Sequence, residues 1–113
     1  MHEFSLATNI VEIVTDNAMQ AQKTIVTEIE LVIGELSGVE EPALQTALDS
    51  LMSGTMLNNA VVKIKRTHGE AICEECQNRF NLNDLFTLCP KCNGYAKKII
   101  SGKEFDIQSI TAE

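Results

Sequence analysis

The chain has 113 residues, nine Lys+Arg against sixteen Asp+Glu for a net charge of −7, and 44% hydrophobic residues. That acidity excludes a protein that grips nucleic acid or an anionic membrane mainly through charge, and the apolar content excludes wholesale disorder. No apolar run approaches the roughly 18–20 residues of a membrane span, and Met1-His2-Glu3-Phe4 lacks the basic stretch of a signal peptide, so a soluble cytoplasmic protein is expected.

From Ser5 to about Met19 the apolar residues Leu6, Ala7, Ile10, Val11, Ile13, Val14 and Ala18 recur at helical spacing, with Ser5 a candidate cap. Ile25 to Ile33 alternates as a strand, with Ile25, Ile29, Leu31 and Ile33 on one face and Val26, Glu28, Glu30 and Val32 on the other. Gly34-Glu35-Leu36-Ser37-Gly38 reads as a loop. Pro42 suits the first turn of a second helix, whose stripe is Leu44, Ala47, Leu48, Leu51 and Met52, and Gly54 can stop it. A second strand fits Ala60 to Thr67, with Ala60, Val62 and Ile64 inward. A third fits Lys103 to Thr111, where Ile110 falls out of phase with Phe105 and Ile107, the mark of a bulge. The expected fold is α+β: two helices packed on a three-stranded sheet, with an inserted zinc-ribbon-like lobe built on four cysteines. The domains expected are 1–68 plus 99–113, and the lobe 69–98.

Four cysteines fall as Cys73-x2-Cys76 and Cys89-x2-Cys92, twelve residues apart. Two thiolates from one tight turn can face one ion, and two such turns complete a tetrahedron. Pro90, Asn93 and Gly94 favour that turn in the second knuckle; the first is less ideal but compatible. The knuckles enclose too few residues for an independent core, so a structural zinc is expected to hold the lobe. Disulfides, a CxxC redox pair or a single rubredoxin-like iron are the other uses of this spacing.

At the amino terminus, the amine of Met1, the amide nitrogen of His2 and its imidazole Nδ1 can close fused chelate rings in one plane. Such a square-planar nitrogen set suits Ni(II) or Cu(II), with the Glu3 amide or a carboxylate in the fourth position. Imidazole near about 6.5 and an amine near about 7.8 must both lose protons to bind, so acid weakens the site. His68, beside Gly69, reads as an exposed loop residue.

Met1-His2-Glu3 followed by Ser5-Leu6, Ile33-Gly34-Glu35-Leu36-Ser37-Gly38-Val39, Gly54-Thr55, the paired CxxC knuckles, Ser101-Gly102-x-Glu104 and Ser109-Ile110 occur in this order. In these motifs the whole chain resembles the HypA/HybF family of hydrogenase maturation nickel metallochaperones. The resemblance implies a protein that binds Ni(II) through Met1 and His2, with Glu3 contributing, and delivers it to the large subunit of a [NiFe] hydrogenase. Zn(2+) is then structural, held by Cys73, Cys76, Cys89 and Cys92, and Ni(2+) is transient cargo. The implied partners are that subunit, a nickel-handling GTPase and, in some members, urease maturation proteins, with no nucleic acid and no membrane. An acid after the Gly34–Val39 loop, here Glu40, is an extra candidate nickel ligand. Position 4 is Phe where Leu or Tyr is frequent, a change expected on the core side.

The alternative is a zinc-ribbon interaction module, binding nucleic acid or protein without nickel transfer. Against nucleic acid stand the net acidity and the lack of a basic patch studded with aromatics. No catalytic activity is expected, since four thiolates leave no open position on zinc and no nucleophile–base pair is evident.

Overall fold

Ala7, Ile10, Val14 and Ala18 are the buried stripe of the first helix, α1 (Glu3–Gln20), in the computed structural model, which describes residues 3–113. The expectations for Met1 and His2 therefore lie outside the described residues. The remaining elements are β1 (Val26–Gly34), α2 (Glu41–Met52), β2 (Val61–Thr67), β3 (Gly69–Cys73), β4 (Arg79–Leu82), β5 (Lys97–Ser101) and β6 (Phe105–Ala112). The strands form two sheets, ordered β2-β1-β6 and β4-β3-β5. The α+β expectation, with two helices, a three-stranded sheet and an inserted four-cysteine segment, agrees with this architecture. The sheet within the inserted segment was not foreseen.

By packing, the chain separates into two compact units: Met1–Leu31 with Val39–Ile64 and Ile107–Glu113, and Val32–Gly38 with Lys65–Asp106. The core of the first draws on α1, on Val26, Ile29 and Leu31 of β1, and on Leu44, Leu48 and Met52 of α2, with Val39 and Leu57. α1 starts before Ser5, which sits in its first turn and is not the cap. It stops without glycine. Gln22 takes φ 60°, and the N–H groups of Gln22 and Lys23 donate to the carbonyls of Met19 and Ala18, a six-residue closure that satisfies the last carbonyls. α2 carries its proline in the first turn, as expected, and Gly54 beyond its end adopts φ 75°.

Two side-chain assignments need correction. Ile25 is 50% exposed whereas Val26 is fully buried. The N–H groups of Thr24 and Ile25 share one main-chain oxygen of Glu113, and the phase slips between Val26 and Ile29, beyond which Ile29, Leu31 and Ile33 are buried as expected. Phe4 is 60% exposed, not on the core side, because the α1 stripe runs through Ala7 and Ile10. In β6 the half-buried positions are Phe105 and Ile107, then Ile110 and Ala112, so the phase slips at Gln108–Ser109, where the sequence placed it.

The second unit pairs β3 antiparallel with both β4 and β5, aligning Ala71 with Phe80 and Ile99. Ala71, Cys73, Phe80, Leu82 and Cys89 form a small core against which Leu36, Cys76 and Ile99 pack. The expectation of no hydrophobic core is thus corrected: a core exists, and cysteines supply part of it. Leu36 enters it because three backbones meet without side chains. A Cβ on Gly102, itself at φ 108°, would lie 2.6 Å from the Gly69 Cα, and one on Gly69 would lie 2.7 Å from the Leu82 carbonyl oxygen. One on Gly34 would strike the Gly102 carbonyl. The N–H groups of Gly34, Glu35 and Leu36 donate to the carbonyls of Glu104, Thr67 and Gly102 at 2.7–2.9 Å. The segment read as a loop is therefore hydrogen-bonded into this unit.

Candidate metal centre

The two cysteine turns have the same backbone design. In the first, Gln77 donates its N–H to the Cys73 carbonyl and Cys73 donates to the Asn78 carbonyl; in the second, Asn93 donates to Cys89 and Cys89 to Gly94, all within 2.8–3.0 Å. Gln77 and Asn93, each just after the second cysteine of its pair, hold φ 64° and 59°. Glycine is therefore not the left-handed residue in either knuckle, and Gly94 serves a different purpose. A Cβ there would collide with the Glu75 carboxylate and lie 3.2 Å from the Cys92 sulfur.

These turns bring all four Sγ atoms within 4.8 Å of one another. Cys73 lies 3.5 Å from Cys92, and Cys76 lies 3.6 Å from Cys89. The sulfurs are too far apart for disulfides, at about 2.05 Å, and close to the roughly 3.8 Å edge of a tetrahedron with metal–sulfur bonds of about 2.3 Å. Cys73 and Cys89 are buried, Cys76 is half-buried and Cys92 is exposed.

The electrostatics call for a cation. Burial pushes the Cys89 thiol up, but the backbone N–H groups of Cys92 and Lys91, then Cys76 and Asn78, outweigh it and pull the thiol down to about 6. At Cys92 the Gly94 N–H favours the thiolate, yet neighbouring Cys73, burial and the other two sulfurs push the thiol up to about 12. Four sulfurs this close cannot all ionise without a compensating positive charge. A dication supplies it, and the residues present fit one tetrahedral ion with no open position. Asn78, which donates its side-chain amide to Cys89 Sγ at 3.8 Å, does not stand out in the sequence, and Glu75, which reads there with Glu74 as a solvated acid able to face a basic partner, lies 3.9 Å from Cys92 Sγ. Aligning the two CxxC turns would have exposed Gln77 and Asn78 as the counterparts of Asn93 and Gly94.

Of the residues expected at the amino terminus, Glu3 and Glu40 are described. The Glu3 carboxylate accepts the backbone N–H of Glu40 at 3.2 Å. Glu40 is the residue before α2 and makes no side-chain cap of its own. The loop preceding α2 is thus held beside the start of α1. His68 is 85% exposed and its Nδ1 lies 2.8 Å from a Glu35 oxygen, in keeping with an exposed loop residue.

Comparison with known proteins adds three findings. The family described as "Hydrogenase/urease nickel incorporation, metallochaperone, hypA" matches residues 1–112. The chain is 41% identical over 113 residues to the hydrogenase maturation factor HypA of Prosthecochloris aestuarii, covering all of both chains, and 44% identical over 110 residues to that of Parabacteroides distasonis, covering 97% of this chain and 96% of that one. The fold is similar to the solution structure of the Ni metallochaperone HypA from Helicobacter pylori, with TM-score 0.69, 22% identity and coverage of 99% and 97%. It is also similar to a second HypA solution structure, with TM-score 0.73, 23% identity and coverage of 100% and 97%. The chain belongs to the HypA family of nickel-incorporation metallochaperones, which are maturation factors and not enzymes.

Proposed function

We propose that this protein carries Ni(II) at its amino terminus to the large subunit of a [NiFe] hydrogenase, acting in the cytoplasm with a nickel-handling maturation GTPase. Urease maturation proteins are a second client class, which the family's description also covers. The match to that family over residues 1–112 is the observation that carries the reading.

In this reading the Met1 amine, the His2 amide nitrogen and the His2 imidazole bind nickel, and Glu3 and Glu40 are the nearby acids. The Glu3–Glu40 hydrogen bond supports the pairing, since it keeps Glu40 next to the residue that follows His2. A planar nitrogen chelate at a chain terminus is open on both faces, so a client's ligands can replace it one at a time. Acid reverses binding by protonating imidazole and amine. Cys73, Cys76, Cys89 and Cys92 hold Zn(2+), which when bound supplies a fixed, closed crosslink and no reactive position. The chain's own residues do the rest: backbone N–H groups orient the thiolates, and the second unit's core shields two of them.

Titrating Ni(II) into zinc-loaded protein with its native terminus tests the proposal, beside His2→Ala and a version extended ahead of Met1. One nickel per chain with a square-planar visible band, lost in both variants, is expected. Equal binding in all three would refute the amino-terminal site and leave a zinc-stapled interaction module.

A further inference from the structure

The four sulfurs are not equivalent, and the difference has a chemical consequence. Cys92 alone among them is exposed, while Cys73 and Cys89 are buried in the second unit's core. The absence of a side chain at Gly94 makes room for the Glu75 carboxylate beside this sulfur, since a Cβ there would collide with that carboxylate and lie 3.2 Å from Cys92 Sγ. The Glu75 carboxylate, 3.9 Å from that sulfur, is placed to accept the hydrogen of an oxygen added to it. The nearest partner across the knuckles is the buried Cys73, at 3.5 Å. The geometry points to Cys92 as a site of peroxide oxidation, with Cys73 as its resolving thiol, so that a hydroperoxide opens the metal site. This rests on the zinc reading of the four-cysteine cluster.

The chemistry balances with peroxide as the sole oxidant. The Cys92 sulfur attacks one peroxide oxygen; the O–O bond breaks, hydroxide leaves, and a sulfenic acid forms on Cys92. The Cys73 thiolate then attacks the Cys92 sulfur, forming the S–S bond and expelling a second hydroxide. Peroxide gains two electrons, the two thiolates lose two, and both hydroxides are protonated by solvent. Thiolate exposure governs which sulfur reacts first, and proximity governs which closes the bond. The metal loses two of its four ligands at once. Cys76 and Cys89, 3.6 Å apart, remain as a second cross-knuckle pair for a further equivalent.

The test uses full-length, zinc-loaded protein and one equivalent of hydrogen peroxide, with a chromogenic chelator reading free zinc. Acid quenching, alkylation and digestion follow without reduction. Cleavage after Arg79, after Lys91 and after Glu74 or Glu75 separates all four cysteines, so each linkage has its own mass. The expected result is one zinc released per peroxide consumed, a Cys73–Cys92 crosslink, and dimedone capture on Cys92 when the trap is present. Links within a knuckle, Cys73–Cys76 or Cys89–Cys92, would overturn the proposal, as would dimedone on Cys76 first or oxidation with zinc retained. Protein that takes up no zinc before peroxide is added would overturn the zinc reading itself, an outcome that metal analysis of the starting material separates from the others.

Discussion

The first unit buries twelve hydrophobic residues among the described ones, in stripes along two helices and a strand, whereas the second buries six, of which Cys73 and Cys89 are two. The charge differs as sharply. Lys23 and Lys63 are the first unit's only Lys or Arg, against nine acids, while the second has seven of each, so the chain's entire excess of seven negative charges lies in the first. One unit is thus an ordinary apolar core under an acidic surface, the other a charge-balanced set of short strands closed by glycine contacts and thiolates. Both contrasts suit the two metals proposed for them. An exchangeable cation is drawn by net acidity, and a permanent thiolate-held crosslink belongs where apolar burial is scarce.

The largest effect expected from this contrast is on metal removal. Stripping zinc with a strong chelator should unfold the second unit and leave α1 and α2 intact, because structural zinc contributes on the order of 10 kcal/mol to small domains. Amide spectra should then lose the resonances of 65–106 and keep those of the helices; simultaneous loss of both would break the comparison. Leu48→Ala is the converse, costing about 2–5 kcal/mol of the first unit's stability in chemical denaturation with zinc content unchanged. Gly102→Ala should destabilise the second unit by roughly 1–3 kcal/mol, since its φ of 108° and the Gly69 backbone both reject a side chain. The smallest effect is that of pH on Glu104. Burial raises its carboxyl, but its own N–H and that of Gly102 outweigh this and hold it below the ordinary range. Its stabilisation is therefore complete above that range and lost as pH falls through the depressed value. Glu104→Gln should flatten the acid limb of the second unit's melting temperature relative to wild type.

How much of this was legible from the sequence follows from how local each cause is. The helical stripes and the paired CxxC turns depend on residues within one or two turns of each other, and they were read correctly. In β1 the alternation places Ile29, Leu31 and Ile33 correctly, and only the Ile25–Val26 end departs, where Thr24 and Ile25 share an oxygen of Glu113 from the far end of the chain. Leu36 is a turn residue as the sequence reads it, but its packing against the second unit's core is not legible, because that depends on Gly34, Gly69 and Gly102 meeting, three positions with no shared periodicity. The strands β3 and β4 are five and four residues long, too short for alternation to stand out. At the metal centre the ligand spacing was legible, but the unequal exposure of the sulfurs was not. Exposure is set by strand pairing around the knuckles, which the CxxC pattern does not encode.

The most direct test of two sites with opposite character is metal analysis of one protein loaded with both ions and dialysed against a mild chelator. One zinc should stay and one nickel should leave, with His2→Ala losing only nickel and Cys89→Ala losing zinc first. Co-release of both metals from the wild-type protein, or nickel retained after His2→Ala, would contradict the account.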